Sequence, residues 1–268
     1  MSCYKYWKKI SAIADSLNKY EYTDVKSRPL DEIIPLLDAI EVIAHDKTIG
    51  FDKAKHILYN EKMNEALKII RKFYVEVGTN LEVHNALDIL GAEEPWAKLE
   101  SFHFYDRYVI LVRDEGLLAN FSAGDTAVFI GGGPLPLTLM LLNAFYGVKG
   151  ISIEIEPEMA ELSKRVIDKL GFSSEIEVVC GSETALLHLQ YDGVMVAALA
   201  EPKKRIFSNI RRVVPWETKI LYRTYSGMRA ILYAPVIKED LVGFQELDRV
   251  LPVGKVNNTS VLIRKELE

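Results

Sequence analysis

The stretch Thr126-Ala127-Val128-Phe129-Ile130-Gly131-Gly132-Gly133-Pro134-Leu135-Pro136-Leu137-Thr138 decides the fold. Four apolar residues, Ala127–Ile130, read as a buried strand. Three glycines and two prolines then turn the chain, and the apolar run Leu137–Tyr146 reads as a helix packed on that strand. No charged residue occurs from Thr126 to Val148, which is long enough to cross a bilayer by length alone. The glycines and prolines stand at the centre of that run, where a spanning helix must be unbroken, so a strand–turn–helix unit is expected instead.

Downstream of this unit, short β-branched runs alternate with helical patterns. The runs are Gly150–Ile155, Glu175–Cys180, Gly193–Leu199 and Lys219–Arg223; helical spacing occupies Glu158–Leu170 and Lys203–Val213. That rhythm means βαβ units and a parallel sheet. Phe244–Leu251 and Ser260–Arg264 are two strands around a Gly/Asn-rich turn, which adds an antiparallel hairpin at one edge. Upstream, the chain reads as helical. Met63, Leu67, Ile70, Tyr74 and Val77 keep the 3,4 spacing of one helix face, and Ile33, Leu36, Leu37 and Ile40 do the same after an Arg28-Pro29 start. The texture changes across Asn120–Asp125. The expected organisation is a helical domain over residues 1–118, acting as a lid and part of the active site, followed by a doubly wound α/β domain over 119–268.

Composition bounds the function. The chain has 268 residues, of which 49% are hydrophobic, ample for a packed core. Its 33 basic and 38 acidic side chains leave a net charge of −5, so the basic surplus that nucleic acid would reward is missing. Cys3 and Cys180 cannot make a disulfide framework, and no CxxC or Cys/His finger spacing occurs. His45, His56, His84, His103 and His188 form no i, i+4 pair. No protein-bound catalytic metal is expected. The first twenty residues mix charge into every turn, unlike a signal peptide. A cytoplasmic protein acting on small molecules, with neither nucleic acid nor membrane as partner, is the expectation. Whether it is a homodimer is left open, because net charge says nothing about it.

Glycines between a strand and a helix let a ligand approach the backbone, with N–H groups pointing at it. Glu154 ends the next strand, twenty-three positions after Gly131. An acid at about that distance accepts hydrogen bonds from ribose hydroxyls. A nucleoside ligand follows. The third glycine of the dinucleotide fingerprint is absent, Pro136 standing there instead, and the terminal hairpin suits a methyltransferase-type fold. S-adenosylmethionine, a sulfonium without phosphate, fits these features better than NAD.

The run Phe129–Thr138 closely resembles the F-[IV]-G-x-G-P-L-P-L-T signature of nicotianamine synthases. Tyr222–Val236, reading YRTYSGMRAILYAPV, is similar to that family's R-x-A-x-G-x-R-x-F-L-Y-P-V block. Leu81-Glu82-Val83-His84 resembles its L-E-x-H element, and Phe102–Tyr108 its F-P-Y-Y-x-N-Y element. The chain resembles the compact archaeal form of the family. The resemblance implies a Rossmann-like S-adenosylmethionine-dependent methyltransferase-type domain with an N-terminal helical bundle. It also implies transfer of the 3-amino-3-carboxypropyl arm to an amino-acid amine such as glutamate. Repeated transfer builds a nicotianamine-like metal chelator and releases 5′-methylthioadenosine. Two departures stand out: Phe129 where many methyltransferases have an acid, and Ser182-Glu183 in place of the usual acid after the third strand.

On that resemblance Glu82 is the candidate base and Tyr108 orients the substrate; Tyr105 and His84 are substrate contacts. Gly131, Gly132, Gly133, Pro134, Glu154 and Ser182 would hold S-adenosylmethionine. Arg223, ending a strand of the sheet, would grip an amino-acid carboxylate through its guanidinium fork. Spacing alone favours a different role for Glu82: Thr79-Asn80-Leu81-Glu82 has the form of a capping box at a helix start. Tyr105 and Tyr108, three apart, also suit plain helix packing. Arg229 is either a second clamp or a surface residue. A small-molecule N-methyltransferase and a non-catalytic S-adenosylmethionine-binding module are the rival readings. The acceptor amine, the number of units joined and the metal bound by the product are not encoded in any motif.

Overall fold

The computed structural model describes residues 3–18 and 30–266. The Arg28-Pro29 helix start expected from sequence lies outside them. By packing, the chain forms two compact units that do not follow chain order. One holds the chain through Leu81 together with Tyr225–Pro235 and Val253–Asn258; the other holds Glu82–Thr224, Val236–Pro252 and Thr259 onward.

The first unit is helical. It contains α1 (Cys3–Leu17), α2 (Leu30–Ala44), α3 (Phe51–Leu58) and the first part of α4 (Asn64–Gly91). The 3,4-spaced residues are its core: Ile33, Leu37, Ile40, Met63, Leu67, Ile70 and Val77 are all buried. Later segments are tied into it by polar contacts. Arg229 donates to the carbonyls of Val256 (2.8 Å) and Gly254 (3.0 Å), and buried Asn257 donates to Glu41 (2.9 Å) and to the Tyr74 hydroxyl (3.0 Å). Arg229 therefore braces a chain segment, which is neither of the two roles expected for it.

The second unit begins within α4 and continues through α5 (Pro95–Glu100) and α6 (Tyr105–Leu118). Its sheet comprises β1 (Thr126–Ile130), β2 (Lys149–Glu154), β3 (Ile176–Cys180), β4 (Gly193–Val196), β5 (Lys219–Thr224), β6 (Phe244–Val250) and β7 (Thr259–Lys265). The crossover helices are α7 (Leu137–Tyr146), α8 (Pro157–Lys169) and α9 (Lys203–Val213). Strand order is β3-β2-β1-β4-β5-β7-β6, with β1 to β5 parallel and β7 antiparallel between β5 and β6. This is the Rossmann-like α/β fold with its hairpin edge. The order reverses beside β1, and ligands of open parallel sheets collect outside the strand carboxyl ends at such a point.

Strand alternation sorts the side chains onto two faces. Val128, Ile130, Ile151, Ile153, Val194, Val196, Ile220, Tyr222, Val261 and Ile263 share one apolar face, packed on Ile206, Phe207 and Ile210 of α9. The same parity puts Phe129, Ser152, Glu154, Arg223 and Ser260 on the other face, in register across β1–β2 and β5–β7. Polar groups on a buried face need partners: Glu154, Arg223 and Ser260 find them at the site, whereas the Ser152 Oγ has none.

Candidate active site

The glycine turn follows directly from β1. Gly131 (φ 82°) and Gly133 (φ 66°) occupy left-handed backbone that a side chain disfavours. Gly132 is glycine for space: an ideal Cβ there would stand 1.9 Å from the Ser152 Oγ. The turn is fastened to β2. The Ile153 carbonyl accepts from the Gly131 N–H (2.8 Å) and the Gly132 N–H (3.3 Å), and Glu154 Oε2 accepts from the Gly133 N–H (2.8 Å). The expectation that these N–H groups point at a ligand is therefore corrected: all three are used internally. A pyrophosphate cradle needs such donors, so this turn suits a ligand without phosphate.

Glu154 is buried at the end of β2, and its other oxygen accepts from the Glu156 N–H (2.9 Å). A carboxylate has about four acceptor positions, so capacity for ribose hydroxyls is left beside these two bonds. After β3, Ser182 caps a short 3-10 turn, Glu183–His188, by accepting from the Thr184 N–H (3.4 Å). Glu183 is buried and accepts from Arg205 Nε (3.1 Å) and Asn209 Nδ2 (2.7 Å) of α9, so it is a brace.

Glu82 lies on the other side of the glycine turn, its Oε2 3.1 Å from where a Gly133 Cβ would be. The capping-box alternative does not hold, because α4 runs unbroken for 28 residues, from Asn64 to Gly91. Thr79 is helical rather than a cap. Gly78 inside a helix costs about 1 kcal/mol, which burial of Ile70, Phe73, Val77, Ala86 and Ile89 along the same helix exceeds. Burial pushes the Glu82 carboxyl up to about 7; the Tyr108 hydrogen bond pulls it down, nearby Glu154 adds to the rise, and Arg223 opposes it. The residue nevertheless keeps an accessible edge. A group that must meet a substrate needs both properties.

Tyr108 comes from α6 and donates its hydroxyl to Glu82 Oε1 at 3.4 Å. Phe102 packs beside its ring. The Arg223 guanidinium sits 5.6 Å from the centre of that ring and 5.1 Å from the centre of Phe129. The fork expected to grip a substrate carboxylate closes on Glu115 instead, Nε to Oε1 at 2.7 Å and Nη2 to Oε2 at 2.6 Å. Glu115 (0% exposed) also accepts from Ser260 Oγ (2.8 Å), and Arg223 Nη2 donates to Thr138 Oγ1 (2.9 Å).

Two expected residues stand outside this network. His84 is exposed and, two residues beyond Glu82, leaves the helix about 200° around from it. Tyr105 is half-buried near Glu100 and Asp106, and burial first, then those carboxylates, raises its phenol pKa. Residues the sequence reading missed are Glu115, Thr138 and Ser260. One signal was available: a lone arginine in the apolar strand Lys219–Thr224 must find an acidic partner when that strand is buried. Among the described residues, no cluster of three or more His, Cys, Asp or Glu side chains could hold a metal ion. No helix among them is long and apolar enough to cross a membrane.

Comparison with known proteins adds the following. Residues 5–268 match the family model described as nicotianamine synthase protein. Nicotianamine synthase 2 of Arabidopsis thaliana is 27% identical over 234 residues, covering 78% of this chain and 69% of that protein. A glutamate-to-glutamine mutant of MtNAS, solved in complex with S-adenosylmethionine, is 52% identical with a TM-score of 0.93, over 99% of this chain and 100% of that one. MtNAS in complex with MTA and tNA is 53% identical with a TM-score of 0.95, over 98% and 99% of the two chains.

Proposed function

This chain belongs to the nicotianamine synthase family, and from that premise we propose that it transfers the 3-amino-3-carboxypropyl arm of S-adenosylmethionine to an amino-acid amine, repeating the step to build a nicotianamine-like chelator. The observation that carries this reading is Glu82, a carboxyl with a pKa of about 7 set against a glycine turn and bonded to Tyr108. An amino-acid ammonium must lose its proton before its nitrogen can attack carbon, and a base is most useful when its pKa lies near the working pH.

The residues divide the work as follows. Gly131, Gly132, Gly133 and Pro134 shape the floor on which the nucleoside lies, and Glu154 accepts from its ribose. Ser182 borders the adenine side. The carboxylates of Glu82 and Glu154, on either side of Gly133, favour a sulfonium cation over a phosphate. When bound, the sulfonium supplies three electrophilic carbons and a neutral thioether leaving group. Glu82 takes the proton from the incoming ammonium. The freed nitrogen pair forms the new N–C bond, the C–S bond breaks, and its electrons stay on sulfur in methylthioadenosine. Tyr108 orients Glu82 and the amine, and Arg223 contributes its charge rather than its fork. Orientation decides which carbon is attacked and is worth about 7–11 kcal/mol when the approach is in line.

The test is one incubation of pure protein with S-adenosylmethionine and glutamate, read by mass spectrometry. Methylthioadenosine, with the acceptor heavier by the four-carbon arm, is expected. S-adenosylhomocysteine as the sole coproduct would make the protein an N-methyltransferase. Ligand-dependent stabilisation without turnover of any amine would make it a binding module. We also assign it to the cytoplasm: Cys180 is an exposed free thiol and Cys3 is also unpaired, a pattern suited to a reducing compartment.

A further inference from the structure

The ion pair Glu115–Arg223 has no obvious use in holding the fold together. Its two side chains are 0% and 4% exposed. Withdrawing two charges from water costs several kcal/mol per ion, and shape-matched apolar residues often replace such a pair at no loss of stability. Sequence-wise its members are 108 residues apart, and both lie in the sheet-containing unit. Polar neighbours on two further elements orient the pair. Ser260 Oγ donates to Glu115 Oε1 at 2.8 Å, and Thr138 Oγ1 accepts from Arg223 Nη2 at 2.9 Å. The guanidinium also lies over the rings of Phe129 and Tyr108, at 5.1 and 5.6 Å from their centres. Tyr108 in turn carries the hydroxyl that reaches Glu82.

We propose that Glu115 is a positioning residue of the transfer reaction: it aims the Arg223 guanidinium at the face of the Tyr108 ring and thereby holds the phenol on Glu82. This rests on the reading of Glu82 as the base. Glu115 itself touches neither Glu82 nor the glycine turn by any contact described above; it acts through Arg223. A bidentate carboxylate is the group that fixes a guanidinium in both position and plane. A cation held over a ring limits how that ring turns, and a phenol 3.4 Å from its acceptor has little tolerance for turning further away.

The groups facing Glu82 are the Tyr108 phenol from α6, which acts by its hydrogen bond, and the charges of Glu154 from β2 and Arg223 from β5. Beside Glu115 on α6 stands Asp114, raised first by burial and then by Glu115. Arg223 favours the ionised form of Glu82, and Glu115 offsets part of Arg223. Removing Glu115 strengthens the pull of Arg223, but freeing the phenol costs Glu82 a bond that lowers its pKa more than Arg223 does, so Glu82 should become harder to ionise.

The experiment measures methylthioadenosine release by the wild type, Glu115→Gln, Glu115→Asp and Ser260→Ala across pH, with folded protein counted by circular dichroism. For Glu115→Gln the expected result is a fall in kcat of about 100-fold, the cost of misplacing a reacting group by about 1 Å. KM for S-adenosylmethionine should change little, and the acidic limb of kcat/KM should move to higher pH, as the freed phenol no longer lowers the Glu82 pKa. Glu115→Asp, which keeps the charge on a shorter arm, should lose kcat and move the limb the same way. If Glu115→Gln does not fold, Glu115→Asp and Ser260→Ala carry the test, each with lowered kcat in a folded protein. Wild-type kcat per folded molecule in these variants, or a lost kcat in Glu115→Gln with the limb unmoved, would overturn the proposal. A wild-type enzyme that releases no methylthioadenosine would instead defeat the underlying functional reading, so the two failures are distinct.

Discussion

Replacing Glu82 by glutamine should make this protein more stable while it destroys turnover. The carboxyl sits at about 7 rather than 4.5, chiefly because burial disfavours its charge. A raised folded-state pKa means that the group is at ease while protonated, below its ordinary pKa. Its cost grows as pH rises through the window from 4.5 to about 7 and is complete above that. At about 1.4 kcal/mol per tenfold, the penalty in the ligand-free protein at about pH 8 is about 3 kcal/mol. Glutamine has nearly the same shape and no charge to desolvate. It forfeits only the phenol hydrogen bond to a carboxylate, which is long at 3.4 Å. The melting temperature of Glu82→Gln should therefore exceed that of the wild type by roughly 6–12 °C at about pH 8, taking 2–4 °C per kcal/mol for a large chain. Near pH 4.5 the difference should vanish. Turnover should drop by about 10²–10⁴-fold, the usual worth of a general base, while calorimetry still detects S-adenosylmethionine binding. A variant no more stable at pH 8 than at pH 4.5, relative to wild type, would refute the claim that this carboxyl is desolvated. Normal turnover would refute its role as the base.

Other perturbations test neighbouring parts of the reasoning. Tyr108→Phe removes the hydrogen bond that lowers the Glu82 pKa, so the acidic limb of kcat/KM should move to higher pH and kcat should fall by about 10- to 100-fold; an unmoved limb would remove Tyr108 from the site. Gly132→Ala drives a Cβ to 1.9 Å from Ser152 Oγ and should cost about 1–3 kcal/mol in urea unfolding. Adding Ser152→Ala should restore only part of that, since the residue's own Cβ lies 3.2 Å from the new methyl; full stability in Gly132→Ala alone would mean the turn is looser than described.

Much of the fold was readable because its signals are local. The short β-branched runs, the 3,4-spaced apolar residues and the Gly-Pro turn each specify a conformation from neighbours in the chain. The terminal hairpin then sat where its turn residues put it. Glu154 was legible for the same reason: a strand of known length carries its last residue to the edge where the glycine turn waits. Glu82 was less so. Thr79 and Glu82 have capping-box spacing whether or not a helix begins there, and only burial along α4 decided that the helix continues through Gly78 and Thr79.

What the sequence determined by itself is a glycine turn between a strand and a helix, an acid at the next strand end, and a family. What only the tertiary structure decided is which charges meet. Arg223 could have held a substrate carboxylate, yet Glu115, 108 positions away, had already closed on its fork. The pKa of Glu82 depends on Tyr108, Glu154 and Arg223, brought from three different elements. Backbone preference is set by the nearest few residues, whereas desolvation and Coulomb energy act through space. Their outcome exists only once the chain has folded.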